Sequence, residues 1–206
     1  MGISKFDKNA FTYDLKPMHV ERAKAVADDI KSSIRINKDW HIADFGCGTG
    51  LLGFNFIEDV KQITMIDVSQ NMLDILKEKI NSLNITNMKI LKMDVFNTNN
   101  LPIERFDLIV TLMTFHHIQD IRLGLIKLKS MLKNDGFLAL ADLDEEDGSY
   151  HQDGDTVHNG INQEELKQFA SEIGLRFKTS NIPYVIRKTI DNTQREYPVF
   201  LHIYQK

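Results

Sequence analysis

Between residues 40 and 142 the chain alternates short β-rich runs with stretches of helical apolar spacing, and no other feature narrows its fold as far. The runs are 40–45, 62–67, 88–93, 106–112 and 137–142. Between them Met72, Ile75, Leu76 and Ile80, and later Ile121, Leu125, Leu128 and Leu132, recur at the three-and-four spacing of a single helix face. Such alternation predicts βαβ units and a parallel sheet covered on both faces. The run FDLIVTL at 106–112 is almost continuously apolar after its acid, as a central strand buried on both sides requires.

The two ends follow other patterns. Pro17 opens a predicted helix with Val20, Ala23, Val26, Ala27 and Ile30 on one face. After the fifth run comes DLDEEDGSYHQDGDTVHNG, too polar for anything but a loop. A helix is then expected from Asn162, where Glu165 three residues on resembles a capping box, to Gly174. Two further β-rich runs, about 176–190 and 197–204, have no helix between them. A parallel pair needs a long crossover, so these two should form an antiparallel hairpin.

Composition removes several function classes. Apolar residues make up 42% and charged residues 26% of the 206, an ordinary globular balance. No apolar run approaches the roughly 18 residues of a membrane helix. The N-terminus MGISKFDKNAF lacks an apolar signal core and carries Phe6 where myristoylation wants Ser or Thr. Cys47 is the single cysteine, so no internal disulfide is possible, and a reducing cytoplasm is expected. A net charge of −4 and a pI near 6.0 give no general attraction to phosphate backbones, so no nucleic-acid partner is expected.

The strongest local signal is Ala43-Asp44-Phe45-Gly46-Cys47-Gly48-Thr49-Gly50 at the end of the first run. Its glycines allow a sharp turn and a close approach of backbone to ligand at the carboxyl edge of the sheet. A dinucleotide loop wants G-x-G-x-x-G, whose third glycine would fall on Leu51; here the spacing is G-x-G-x-G, with Asp44 two residues ahead. Acids also end the second and third runs, Asp67 in IDVSQNM and Asp94 in KMDV. A carboxylate placed like Asp67 can accept two charge-assisted bonds from vicinal ribose hydroxyls. The fourth run leads into Thr111-Leu112-Met113-Thr114-Phe115-His116-His117-Ile118, and Leu132-Lys133-Asn134-Asp135-Gly136-Phe137 reads as a turn before the fifth.

Together these segments resemble the ordered motifs of class I S-adenosylmethionine-dependent methyltransferases, over residues 40–142. The resemblance implies an α/β, three-layer Rossmann-like methyltransferase fold. Its mixed seven-stranded sheet would hold five parallel strands plus a C-terminal antiparallel hairpin, with helices on both faces. It implies S-adenosyl-L-methionine as cofactor, with Asp44, Gly46, Cys47, Gly48, Gly50, Asp67, Val68, Met72, Asp94, Val95 and Thr111 on the cofactor side. Asp94 would meet the adenine amino group and the Val95 amide its ring. We read one domain over 1–206: an N-terminal flap and helix (1–35), a cofactor-binding core (36–142) and an acceptor-side loop, helix and hairpin (143–206). The acceptor is expected to be a small molecule, and the chain a monomer or homodimer.

Several residues keep two readings. Asp67 and Asp94 would otherwise be loop caps, Cys47 a small buried filler, and Met72 a core residue that also brushes the adenine. His116 and His117 serve either packing or the acceptor. Asp142, Asp144, Glu145, Glu146 and Asp147, with His151 and His158, form a solvated loop, a contact for a cationic acceptor or a divalent-metal site; no compact ligand spacing supports the last, and no metal is expected. The segment 6–13 (FDKNAFTY) is either a flap over the cleft or aromatic packing at the sheet edge. Methyl transfer needs no obligatory dyad; where a base is used, His117 comes first, then His151 and Tyr13. The rival functions are a non-catalytic module that binds the same cofactor and a nucleotide-dependent oxidoreductase, against which Leu51 and the hairpin stand.

Overall fold

The computed structural model describes residues 13–151 and 157–206. In chain order these form α1 (Pro17–Ser33), β1 (His41–Phe45), β2 (Gln62–Asp67), α2 (Gln70–Ser82), β3 (Met88–Lys92), β4 (Phe106–Leu112), α3 (Ile121–Met131), β5 (Leu132–Leu143), α4 (Gln163–Glu172), β6 (Arg176–Ile190) and β7 (Thr193–Gln205). The seven strands make one sheet in the order β3-β2-β1-β4-β5-β7-β6. β1 to β5 pair in parallel, while β7 runs antiparallel to both β5 and β6. This is the expected mixed sheet of a Rossmann-like methyltransferase fold.

The strands alternate between two apolar layers. Ile42, Ile63 and Leu108 face Val26 and Ile30 of α1 and Leu73 and Leu76 of α2. Their neighbours Ala43, Ile66 and Ile109 face Leu125 and Leu128 of α3 and Leu166 and Ala170 of α4. Each large aliphatic side chain so buried contributes about 1.5–3 kcal/mol. Because β1 connects outward to β2 and is flanked on its other side by β4, the strand order reverses beside β1. A crevice therefore opens at the carboxyl ends of β1 and β4, where open α/β sheets bind ligands.

Local chemistry sets the element ends. Ser69 accepts a bond from the Met72 amide at the start of α2, and Asn162 accepts from the Glu164 and Glu165 amides at the start of α4. Gly174, at φ +76°, follows α4 in the left-handed conformation that ends many helices. The β6–β7 hairpin turns on Asp191 and Asn192, both at positive φ, as a two-residue turn matched to strand twist demands.

Three expectations need correction. Val20 is 44% exposed, and the inner face of α1 instead carries His19 and Arg22. The 132–137 segment is no turn before the fifth strand but its first half: Phe106 pairs with Leu132 and Leu108 with Phe137, with the extra residues bulged between them. Asp135 takes φ +62° there, which absorbs the excursion without ending the strand. The second hairpin strand starts at Thr193 rather than 197, since polar Gln194, Arg195 and Glu196 lie on a solvated part of the ladder.

Candidate functional site

β1 ends in a loop that only glycine can build. Gly46 sits at φ +69°, and a Cβ added to it would stand 2.4 Å from Thr114 Cγ2. Its amide and that of Cys47 donate to the Ile66 carbonyl at the end of β2, at 2.8 and 3.0 Å. Gly48, at φ +51°, is different: the nearest atom to an added Cβ is Met72 Sδ at 3.9 Å, so its open side gives onto the cleft. The Gly48 amide donates to Asp67 Oδ2 at 2.7 Å, and the Ser69 amide to Asp67 Oδ1 at 2.8 Å. Asp67 thus ties the glycine loop to the start of α2 while standing at the cleft wall. Lys79 of α2 adds a second tie, reaching both the Thr49 carbonyl and Asp14 at 2.7 Å.

The cleft encloses about 550 Å³ and is lined from one end to the other by the glycine loop, Asp67, Asp94, Met113 and His117. Asp94 follows β3 and accepts from the Phe96 amide at 2.8 Å and from Asn97 Nδ2 at 2.6 Å. Met113 ends β4 at φ +56°, a strained conformation for a side chain of its size and one that concentrates at ligand sites. Asp44 is 1% exposed, accepts from the Gly53 amide at 2.8 Å, and is pushed up to about 7 by burial. Burial also pushes the Cys47 thiol well above its ordinary range, so this residue is no thiolate nucleophile.

A buried pair backs the far wall. His116 Nδ1 shares a hydrogen bond with Asp142 Oδ1, and both side chains are essentially inaccessible. Burial opposes ionisation of Asp142, but His116 and the amides of Leu143 and Phe115 outweigh it and hold the carboxyl below its usual range. The amides of Thr114 and Phe115 both donate to Asp142 Oδ2, which fixes the turn that presents His117. The rings of His116 and His117 lie 4.0 Å apart, and His151 packs 5.8 Å from His117.

These features fit an adenosyl ligand: a glycine backbone open to the cleft, and carboxylates at two neighbouring strand ends. A methyltransferase-domain family profile matches residues 43–138, and an uncharacterized methyltransferase of Schizosaccharomyces pombe is 33% identical over 178 residues, 80% of this chain and 60% of that one. By sequence, residues 43–138 are similar to methyltransferase domains. A malonyl-[acyl-carrier protein] O-methyltransferase of Acetivibrio thermocellus is 28% identical over 141 residues, 66% of this chain and 47% of the relative. The chain therefore spans about half to three fifths of these relatives' lengths. The fold matches a crystal structure of a SAM-dependent methyltransferase from Aquifex aeolicus, at TM-score 0.70 and 20% identity, over 100% of this chain and 98% of that one.

The structure brings together most of the residues singled out in the sequence. Asp44, Gly46, Cys47, Gly48, Asp67, Val68, Met72, Asp94 and Val95 line the cleft, as do Tyr13 and His117. Gly50 and Thr111 do not. A Cβ on Gly50 would meet Leu76 Cδ1 at 2.6 Å, so this glycine serves packing against α2, and Thr111 is sealed inside β4. His151 stands behind His117 rather than on the cleft surface. Of the proposed flap only Tyr13 lies within the described residues; 6–12 lie outside them. Carboxylates of the acidic loop are engaged within it and by its neighbours: Glu146 Oε2 accepts from the Tyr150 amide, Asp147 from Ser149 and Arg195, and Glu145 from Asn162. Among the described residues no three such groups converge on a point that could hold a metal ion. Sequence reasoning missed Arg22 and His19, which line the cleft from α1. Polar residues recurring at the core positions of the helix were the available signal.

Proposed function

We propose that this chain transfers a methyl group from S-adenosylmethionine to a small-molecule acceptor by in-line displacement. One observation carries the proposal: the glycine loop, Asp67 and Asp94 converge on a single cleft of about 550 Å³ at the carboxyl edge of three adjacent strands. That volume lies within the range of roughly 300–1,000 Å³ typical of small-ligand pockets, with room for a nucleoside and a small acceptor. The bound donor supplies an electrophilic methyl group on a sulfonium. The residues of the chain bind, orient and exclude water, effects that together contribute ~7–11 kcal/mol in favourable cases.

In this reading Asp67 takes the ribose hydroxyls, each of its oxygens being able to accept more than one bond. Asp94 and the Val95 amide take the adenine, and the Gly46–Gly48 backbone follows the thioether arm. His117 faces the acceptor and is the first candidate to accept a proton from it, and Tyr13 lines the same cleft. His151, packed against His117, acts through it. Residues 36–142 hold the cofactor and 143–206 the acceptor side of one domain, with α1 lining the cleft through His19, Arg22 and Ala23. In this reading the chain works in the cytoplasm as a monomer or homodimer; no described helix is long and apolar enough to cross a membrane. The test is a screen of metabolite fractions for acceptor-dependent release of S-adenosylhomocysteine. A fraction that drives turnover identifies the acceptor; donor binding without turnover in any fraction would leave a cofactor-binding module instead.

A further inference from the structure

The face of α1 turned toward the sheet carries an arginine where the apolar pattern calls for a hydrocarbon. Arg22 is 3% exposed, and its Nε and Nη1 atoms have no hydrogen-bond partner among the described residues. A guanidinium removed from water is costly unless acceptors, and preferably an anion, meet its donors. The Tyr150 phenol gives the guanidinium one neutral hydrogen-bond partner and leaves Nε and Nη1 unmet. His19, one turn earlier, is held neutral, its basicity lowered to about 4 chiefly by burial and then by Arg22 itself. The nearby Tyr150 phenol is also buried, and burial keeps it in the neutral form. The acids of the cleft are engaged elsewhere: Asp44 with Gly53, Asp67 with the Gly48 and Ser69 amides, Asp94 with Phe96 and Asn97, and Asp120 with the Leu123 amide.

Yet Arg22 lines the cleft, beside Tyr13 and Ala23. We propose that Arg22 is the anion site of the cleft and binds a carboxylate of the ligand, belonging either to the amino-acid end of the methyl donor or to the acceptor. This rests on the reading of the cleft as a methyltransferase site. A singly charged group is favoured over a phosphate because Arg22 is the sole Lys or Arg among the described lining residues, and Asp44, Asp67, Asp94 and Asp120 share the same cavity. Arginine, whose planar fork matches carboxylate geometry, stays charged at every physiological pH and so suits a permanent anion site.

The test follows the Arg22 Nε–H signal by NMR in the full chain, assigned by its disappearance in Arg22→Lys. S-adenosylhomocysteine is compared with 5′-methylthioadenosine, which keeps the nucleoside and thioether but has no carboxylate. Acetate is compared with acetamide on the chain already loaded with S-adenosylhomocysteine. A shift with S-adenosylhomocysteine and none with 5′-methylthioadenosine assigns the site to the donor, and Arg22→Lys should then weaken S-adenosylhomocysteine alone by about tenfold or more. A shift with acetate but not acetamide in the loaded protein assigns it to the acceptor. Binding of both nucleosides with no carboxylate-dependent shift in either arm overturns the proposal while leaving the methyltransferase reading intact. If neither nucleoside binds, that reading fails, and acetate against acetamide on the unloaded chain still decides whether Arg22 receives an anion.

Discussion

The buried Asp44 carboxyl makes the stability of the chain depend on pH in an unusual direction. Its ordinary value is 3.8, and burial raises it in the folded chain to about 7. Between those values the folded chain keeps a proton that the unfolded chain has released, so unfolding becomes easier as pH rises. About three pH units separate the two, which at roughly 1.4 kcal/mol per unit amounts to about 4 kcal/mol lost between pH 4 and pH 7. Above pH 7 both states are deprotonated and this contribution is flat. Asp44→Asn keeps an oxygen to accept the Gly53 amide but cannot ionise. Urea unfolding of the two proteins across pH 4–8 should therefore show the variant gaining on the parent by about 4 kcal/mol as pH rises to 7. Parallel curves would refute the reasoning, and so would a gap that opens as pH falls.

Three further outcomes follow from the same geometry. Asp67→Ala should weaken S-adenosylhomocysteine binding by ~1.5–3 kcal/mol in calorimetry, the range for hydrogen bonds to a charged group; unchanged affinity would remove Asp67 from the site. Gly46→Ala forces a side chain onto φ +69° and into Thr114, and should cost about 2–4 kcal/mol in thermal or urea unfolding, part of it recovered when Thr114→Ala is added. His117→Ala should leave cofactor affinity nearly intact while lowering kcat with an accepting metabolite; an equal loss of cofactor affinity would place His117 on the donor side.

The layered architecture was legible because apolar residues recur in step with the elements that bury them. Ile42, Ala43, Leu108 and Ile109 alternate between the two layers, and Leu125 and Leu128 fall on one helix face. The hairpin could be inferred because no crossover separates β6 from β7. The glycine loop and its two acids were legible because left-handed backbone and strand-end carboxylates leave a spacing in the chain.

What escaped depends on contacts between distant positions. Asn134, Asp135 and Gly136 look like a turn, yet pairing with β4 on either side of them holds β5 together. The His116–Asp142 pair joins residues 26 apart, and nothing in either segment announces the other. Arg22 escaped because arginine is most often exposed. Only the packing of α1 against the sheet turns it inward. Thr111 adjoins the cleft in sequence, but strand alternation points it into the sheet.

Calorimetric titration with S-adenosylhomocysteine and, separately, with NAD tests the central assignment most directly. Saturable binding of the thioether with none for the dinucleotide is the predicted result. Tight binding of NAD with none for S-adenosylhomocysteine would contradict it.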